Sequence, residues 1–168
     1  MIENINKKLE ANDRNATASN NKIPLILLAD DSTNDCKTVE MALKRLSLRC
    51  VLKTVADGDQ LLRSLNGQCL PLEKGELPDL ILLDLNMPIK NGYEALKEIK
   101  SDGQFRIIPV VVWSTSDNWA DIMKCYELGA NSFFVKPDSF EQIVTTLRIV
   151  IDYWFGGSKR PSQNPNRI

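Results

Sequence analysis

Histidine is missing altogether from this 168-residue sequence. Its absence removes Ser-His-Asp and Cys-His nucleophilic groups and any His-ligated metal. The chain therefore cannot carry a phosphohistidine of its own. Long apolar runs are missing too: no stretch of about 18 residues is apolar enough to cross a bilayer, so no membrane segment is expected. The first residues hold no apolar signal core, which argues for the cytoplasm. Neither sign of charge is in excess, since 21 Lys and Arg against 22 Asp and Glu leave a net charge of −1. That is too little for a broad electrostatic grip on nucleic acid. Four cysteines, Cys36, Cys50, Cys69 and Cys125, form no CxxC pair. This spacing suits neither a zinc site nor a redox pair, and reduced, partly buried thiols are expected.

What is present is a rhythm of apolar runs that end on polar residues. Length allows one domain with a modest core. Residues 1–22 are rich in Asn, Ala, Ser, Thr and Lys and read as a mobile tail. The triplet Asn15-Ala16-Thr17 within them fits a glycosylation pattern, but without a secretory signal it carries no weight. Leu25-Ile26-Leu27-Leu28-Ala29 is unbroken and apolar, the mark of a strand buried on both faces, and it ends at Asp30-Asp31. Ser32 to Asp35 can cap a helix carrying Val39, Ala42, Leu43 and Leu46 at helical spacing. A second strand is expected over residues 48–55, then a short helix with Leu61, Leu62 and Leu65 that stops near Gly67. Residues 67–78 are long for a connection and read as an exposed extension with room for one extra helical turn.

Leu80-Ile81-Leu82-Leu83 runs straight into Asp84, and Pro88 and Gly92 break the chain before a helix that buries Tyr93, Leu96 and Ile99. Ile107 to Trp113 is a fourth strand ending at Ser114-Thr115-Ser116. A helix over residues 117–128 follows, closed by Gly129 at a left-handed position. Ser132 to Val135 is a short fifth strand ending at Lys136-Pro137, and Asp138 with Glu141 reads as the capping pair of a last helix reaching Phe155. Residues 156–168 read as a polar, frayed tail, which leaves 23–155 as the folded domain. Five βα units imply an α/β fold: a flavodoxin-like, doubly wound parallel sheet of strand order 2-1-3-4-5.

In that order strands one, three, four and five are neighbours, and ligands of such sheets collect at the strands' carboxyl ends. Asp30, Asp31, Asp84, Ser114 and Lys136 therefore converge on one rim. Crowded carboxylates either raise a pKa or hold a cation, and an oxygen-only set favours Mg²⁺. A cation site with a spare carboxylate, an ammonium and a hydroxyl suits phosphoryl transfer, with Asp84 as nucleophile. Singly, each residue has a plainer reading: Asp30 and Asp31 as helix caps, Ser114 as a turn hydroxyl, Lys136 as a surface lysine. Only their joint occurrence at strand ends outweighs those.

The ordered set resembles the receiver domains of two-component response regulators: Asp30-Asp31 after strand one, Asp84-x-Asn86-Met87-Pro88 with Gly92 after strand three, Ser114 after strand four and Lys136-Pro137 after strand five. The resemblance spans residues 25–155. It implies that Asp84 is the phosphoacceptor, that Asp31 ligates Mg²⁺ directly with Asp30 as second acid, and that Asn86 offers its backbone carbonyl. It further implies that Lys136 pairs with the phosphoryl group, that the Ser114 hydroxyl moves toward it, and that Asn86 and Ser116 tune dephosphorylation. Phe133 stands where the family keeps a switch aromatic, often Tyr; lacking a hydroxyl, it could switch by packing alone. The Lys136–Pro137 bond is cis in typical relatives. The insert at 67–78, the Trp113-Ser114-Thr115-Ser116 turn and Tyr153-Trp154-Phe155 narrow the resemblance to the single-domain regulators that serve bacterial phytochrome kinases.

The expected partners are a histidine kinase, an unknown downstream protein and a second copy of the chain. The last helix is apolar over more than one face, which favours a homodimer through the fourth helix, fifth strand and fifth helix. No output domain for DNA binding is expected, so output would pass through protein contacts. Slow loss of the phosphoryl group aside, no turnover enzyme is expected. The alternatives are an unphosphorylated docking module of the same fold, a phosphatase with an aspartyl nucleophile, and a flavodoxin-type nucleotide binder. The first would have lost one of the acids or Lys136. The second needs an acid where Asn86 stands. The third needs a phosphate-cradling loop after strand one, and none is present.

Overall fold

The computed structural model describes residues 23–158; the expected tail at 1–22 with its Asn15 triplet, and residues 159–168 of the expected tail at 156–168, lie outside them. Five parallel strands stand in the order β2-β1-β3-β4-β5. They are β1 (Leu25–Ala29), β2 (Val51–Val55), β3 (Leu80–Leu83), β4 (Val110–Ser114) and β5 (Ser132–Val135). The helices between and after them are α1 (Thr33–Arg45), α2 (Gly58–Leu65), α3 (Gly92–Ser101), α4 (Trp119–Glu127) and α5 (Phe140–Ile151). A six-residue π-helical turn, Asp152–Gly157, extends α5, so Gly156 and Gly157, expected in a frayed tail, belong to the last helical segment. Among the described residues no helix is long and apolar enough to cross a membrane.

The period-two alternation of the strands sorts the core into two layers. Ile26, Leu28, Leu80, Leu82, Val111 and Trp113 face α1 and α5, where Val39, Leu43, Leu147 and Val150 meet them. Leu25, Leu27, Ile81, Leu83, Val110 and Val112 face the other way, toward Leu61, Leu96, Ile99 and Cys125 of α2, α3 and α4. All residues of β1, β3 and β4 are buried. This is why those segments read as unbroken apolar runs. Phe133 and Phe134 divide between the two layers, each half-buried.

Several boundaries differ from the sequence expectation for local reasons. Strand β2 begins at Val51, not Leu48, because its partner β1 begins at Leu25, the residue paired with Val51. Residues 67–78 form turns with no helical turn, and they are tethered: Leu72 is buried in the core and Lys53 pairs with Glu76 at 2.6 Å. Ser139, rather than Asp138, caps α5, accepting a hydrogen bond from the Gln142 N–H. The only cis peptide bond among the described residues is Leu70–Pro71, so Lys136–Pro137 is trans, contrary to expectation. Gly129 does take the left-handed backbone expected of it, at φ 96°.

The two ends of the sheet are held differently. At the amino ends of β4 and β5, the Lys100 ammonium donates to the carbonyls of Ile108 (2.8 Å) and Arg106 (3.3 Å) and to Asn131 Oδ1 (3.0 Å). Burial pulls that ammonium down to about 8. At the carboxyl end, Gly92 lies against the backbone that follows β3: a Cβ there would sit 2.1 Å from the Asp84 carbonyl oxygen and 2.7 Å from Leu85 Cα. No rotamer relieves a clash with backbone. Gly92→Ala is therefore expected to lower the unfolding free energy by about 2–3 kcal/mol, read as a lower urea midpoint at unchanged slope. Wild-type stability in that variant would show that the close approach imposes no constraint.

Candidate functional site

Four strand ends build the site. Asp30 follows β1 and is buried, 2% exposed, as is Asp84 after β3 at 6%. The pairing of β1 with β3, Ala29 opposite Leu83, sets these two acids side by side. Asp31 is exposed. One carboxylate oxygen from each of Asp30, Asp31 and Asp84 lies within 4.8 Å of the others. Ser114 ends β4, fully buried, and its Oγ accepts a hydrogen bond from the Ser116 N–H at 3.3 Å. Lys136 follows β5; its backbone N–H donates to the Ser114 carbonyl at 2.7 Å. Its ammonium donates to Asp30 Oδ2 (2.8 Å), Asp35 Oδ2 (2.9 Å) and Asp84 Oδ2 (3.0 Å).

Each acid is also fixed by backbone. Asp84 Oδ1 accepts from the Leu85 N–H at 2.7 Å and more weakly from that of Asn86 at 3.4 Å. Asp30 Oδ1 accepts from the Ser32 N–H at 2.9 Å. The second oxygen of each, Oδ2, is the one that accepts from Lys136. Burial pushes the Asp30 carboxyl above its ordinary value, and the hydrogen bond and charge of Lys136 offset this only in part. For Lys136, burial alone would lower the ammonium, but its bonds to Asp30 and Asp35 and the charge of Asp84 reverse the balance and hold it above its usual value. For Asp35, the hydrogen bond and charge of Lys136, with Ser32, outweigh burial and lower the carboxyl.

Asp30, Asp31, Asp84 and Lys136 thus lie together as the sequence predicts, with Ser114 on the neighbouring strand end. Asn86 is exposed beside them and meets Asp84 through its N–H. The Ser116 side chain is engaged elsewhere: its hydroxyl donates to Asp121 Oδ2 at 2.6 Å on α4, and Asp121 also receives the Tyr93 hydroxyl of α3. Phe133 packs into the layer shared with α4. Asp35 is the residue that sequence reasoning passed over as a cap component. Its signal was available, since a fourth acid one helical turn beyond Asp31 projects from α1 toward the same rim.

An oxygen-only set of three carboxylates, one of them solvent-facing, fits a hard divalent cation. Residues 26–148 match the model of the response regulator receiver domain.

The chain belongs to the response regulator receiver family. It is 34% identical over 140 residues to the probable methanogenesis regulatory protein FilR2 of Methanothrix harundinacea, covering 82% of this chain and 87% of that protein. It is 35% identical over 130 residues to the response regulator Rcp1 of Synechocystis sp., covering 77% and 88%. A phosphorylated cyanobacterial phytochrome response regulator, RcpA, superposes with a TM-score of 0.78 at 35% identity, over 84% of this chain and 100% of that one. A crystal structure of Rcp1 in its Mn²⁺-bound form superposes with a TM-score of 0.73, over 83% and 99%.

The buried acids are held against their own solvation. A carboxyl raised in the folded state stabilises the fold only while it is protonated, below the unfolded value of about 3.9; above the folded value its ionisation is a cost. Without divalent cations, Asp30→Asn is expected to stabilise the protein by about 1 kcal/mol at pH 7.5. The gain should shrink as pH falls and vanish well below the unfolded value of about 3.9, and urea unfolding at pH 7.5 and about pH 3 measures it. A loss of stability at pH 7.5 would show instead that Lys136 needs the third charge.

Proposed function

We propose that this receiver accepts a phosphoryl group on Asp84 from the phosphohistidine of a partner kinase and signals through a changed protein-binding face. The observation that carries this reading is the placement of the Lys136 ammonium 3.0 Å from Asp84 Oδ2, beside three carboxylate oxygens that can share one cation. Asp84 supplies the attacking oxygen. An O–P bond forms as the N–P bond of the donor breaks, and the imidazole keeps the bond pair and leaves neutral, its proton on the other ring nitrogen. Asp31 and Asp30, with Asp84 and the Asn86 carbonyl, would hold Mg²⁺, which when bound neutralises the phosphoryl oxygens. Lys136 pairs with one of those oxygens, and the Ser114 hydroxyl turns to donate to another. Having no histidine, the chain depends on its donor for the imidazole. It acts as a switch that is set and reset; the exposed Asn86 beside Asp84 would tune the reset, and Ser116 would do so only after releasing Asp121.

The likeness to Rcp1 and RcpA supports a phytochrome-type sensor kinase as the donor. The α4-β5-α5 face supports a homodimer: Val135, Met123, Tyr126, Ile149 and Tyr153 are each 40–60% exposed there, and Phe133 reports the state of the site by packing. An unphosphorylated docking module is disfavoured because Asp30, Asp31, Asp84, Ser114 and Lys136 are all retained.

Incubation with Mg²⁺ and a small phosphodonor is expected to add about 80 Da, one PO₃ unit, to the wild type and nothing to Asp84→Asn. Intact mass at neutral pH reads this, and an unmodified wild type would overturn the reading. Beryllofluoride with Mg²⁺ is further expected to shift the protein from monomer to dimer in light-scattering chromatography. Ile149→Glu should abolish that shift while leaving the mass gain intact; a dimer in Ile149→Glu would place the interface elsewhere.

A further inference from the structure

Lys136 has three N–H donors, and the structure spends them on three carboxylates. Two of these acids, Asp30 and Asp84, also belong to the group that can share a cation; Asp35 does not. A divalent ion drawn to the oxygens of Asp30 and Asp84 takes two of the acceptors of the ammonium and repels it by like charge. A phosphoryl group on Asp84 claims one of them again. Asp35 alone keeps its bond to Lys136 through both events.

The structure gives Asp35 the rigidity for this. It sits in the first turn of α1, where its backbone N–H donates to Ser32 Oγ at 3.2 Å, and its side chain is 40% exposed against 0% for Asp30 and 8% for Asp84. Beside it opens a cleft of about 400 Å³, lined by Asp35, Thr38, Trp113, Lys136, Pro137 and Asp138 among others. Asp35 and Lys136 thus share the lining of an open cleft, whereas Asp30 and Asp84 are buried.

We propose that Asp35 is a positioning residue, the acceptor that holds the Lys136 ammonium beside Asp84 while a divalent cation and then a phosphoryl group take over Asp30 and Asp84. Without Asp35, Lys136 would fall back on Asp30 and Asp84 alone and compete with the cation for them. This inference rests on the phosphoacceptor reading of Asp84.

Asp35→Asn keeps the shape and removes the charge, Asp35→Glu restores a carboxylate, and Asp138→Asn removes a charge from the same cleft without touching Lys136. Calorimetric titration with Mg²⁺ alone should show binding weakened about three- to tenfold in Asp35→Asn, the size expected of one charge-assisted bond in a half-exposed place. Asp35→Glu should recover most of it, and Asp138→Asn should stay within about twofold of the wild type. In ¹⁵N spectra of the Mg²⁺-loaded protein, the ammonium signal of Lys136 should be protected from water exchange in the wild type and lost in Asp35→Asn. Unchanged affinity and an unchanged ammonium signal in Asp35→Asn would overturn the proposal, as would an equal weakening in Asp138→Asn. A wild type that binds no Mg²⁺ and gains no phosphoryl mass would instead overturn the phosphoacceptor reading, so the two failures are separable.

Discussion

One ammonium among four carboxylates is the interaction on which the rest depends. Two of the acids are buried, and no buried carboxylate is stable without a partner. Lys136 is that partner for Asp30 and Asp84 together, and the third bond to Asp35 completes its valence. The arrangement is balanced without being relaxed. Asp30 remains above its ordinary protonation range even with Lys136 at 2.8 Å. Burial therefore still outweighs Lys136 at Asp30, and the three neighbouring carboxylate oxygens could share a cation as a second source of positive charge.

The sheet supplies this pressure by topology. Parallel strands place their carboxyl ends on one rim, and the order β2-β1-β3-β4-β5 makes neighbours of the four strands that carry site residues. The strand left out, β2, stands at the edge opposite β5, beyond β1, and it contributes no site residue. Strands β1 and β3 are apolar to their last residue, so the change from Leu83 to Asp84 is a step from apolar to charged within a buried stretch. The backbone amides after Asp84 and Asp30 then fix which oxygen of each acid faces out.

Much of this was legible beforehand. A strand buried on both faces has to be an unbroken apolar run, so β1, β3 and β4 announced themselves, and the residue ending each run was the site residue. What remained hidden was set by tertiary partners. The start of β2 depends on where β1 begins. The cap of α5 passed from Asp138 to Ser139 because the first free amides of the helix lie one residue further along. The segment at 67–78 looked exposed by composition, but Leu72 anchors it in the core. Asp35 was read as helix-cap material because its local role is real; its second role exists only once β5 brings Lys136 across the sheet, 101 residues away in the chain.

The staple at the far edge of the sheet has a mechanical consequence. Lys100 ties the end of α3 to the chain entering β4 and to Asn131 before β5, and Asn131 Oδ1 also receives the Val110 N–H at 2.9 Å. The floor of the sheet is pinned under the same two strands whose upper tips carry Ser114 and Lys136. A pull on those tips cannot be absorbed by sliding β4 and β5 downward as rods. Sliding either strand along its length would break the bonds that Lys100 and Asn131 make at this end.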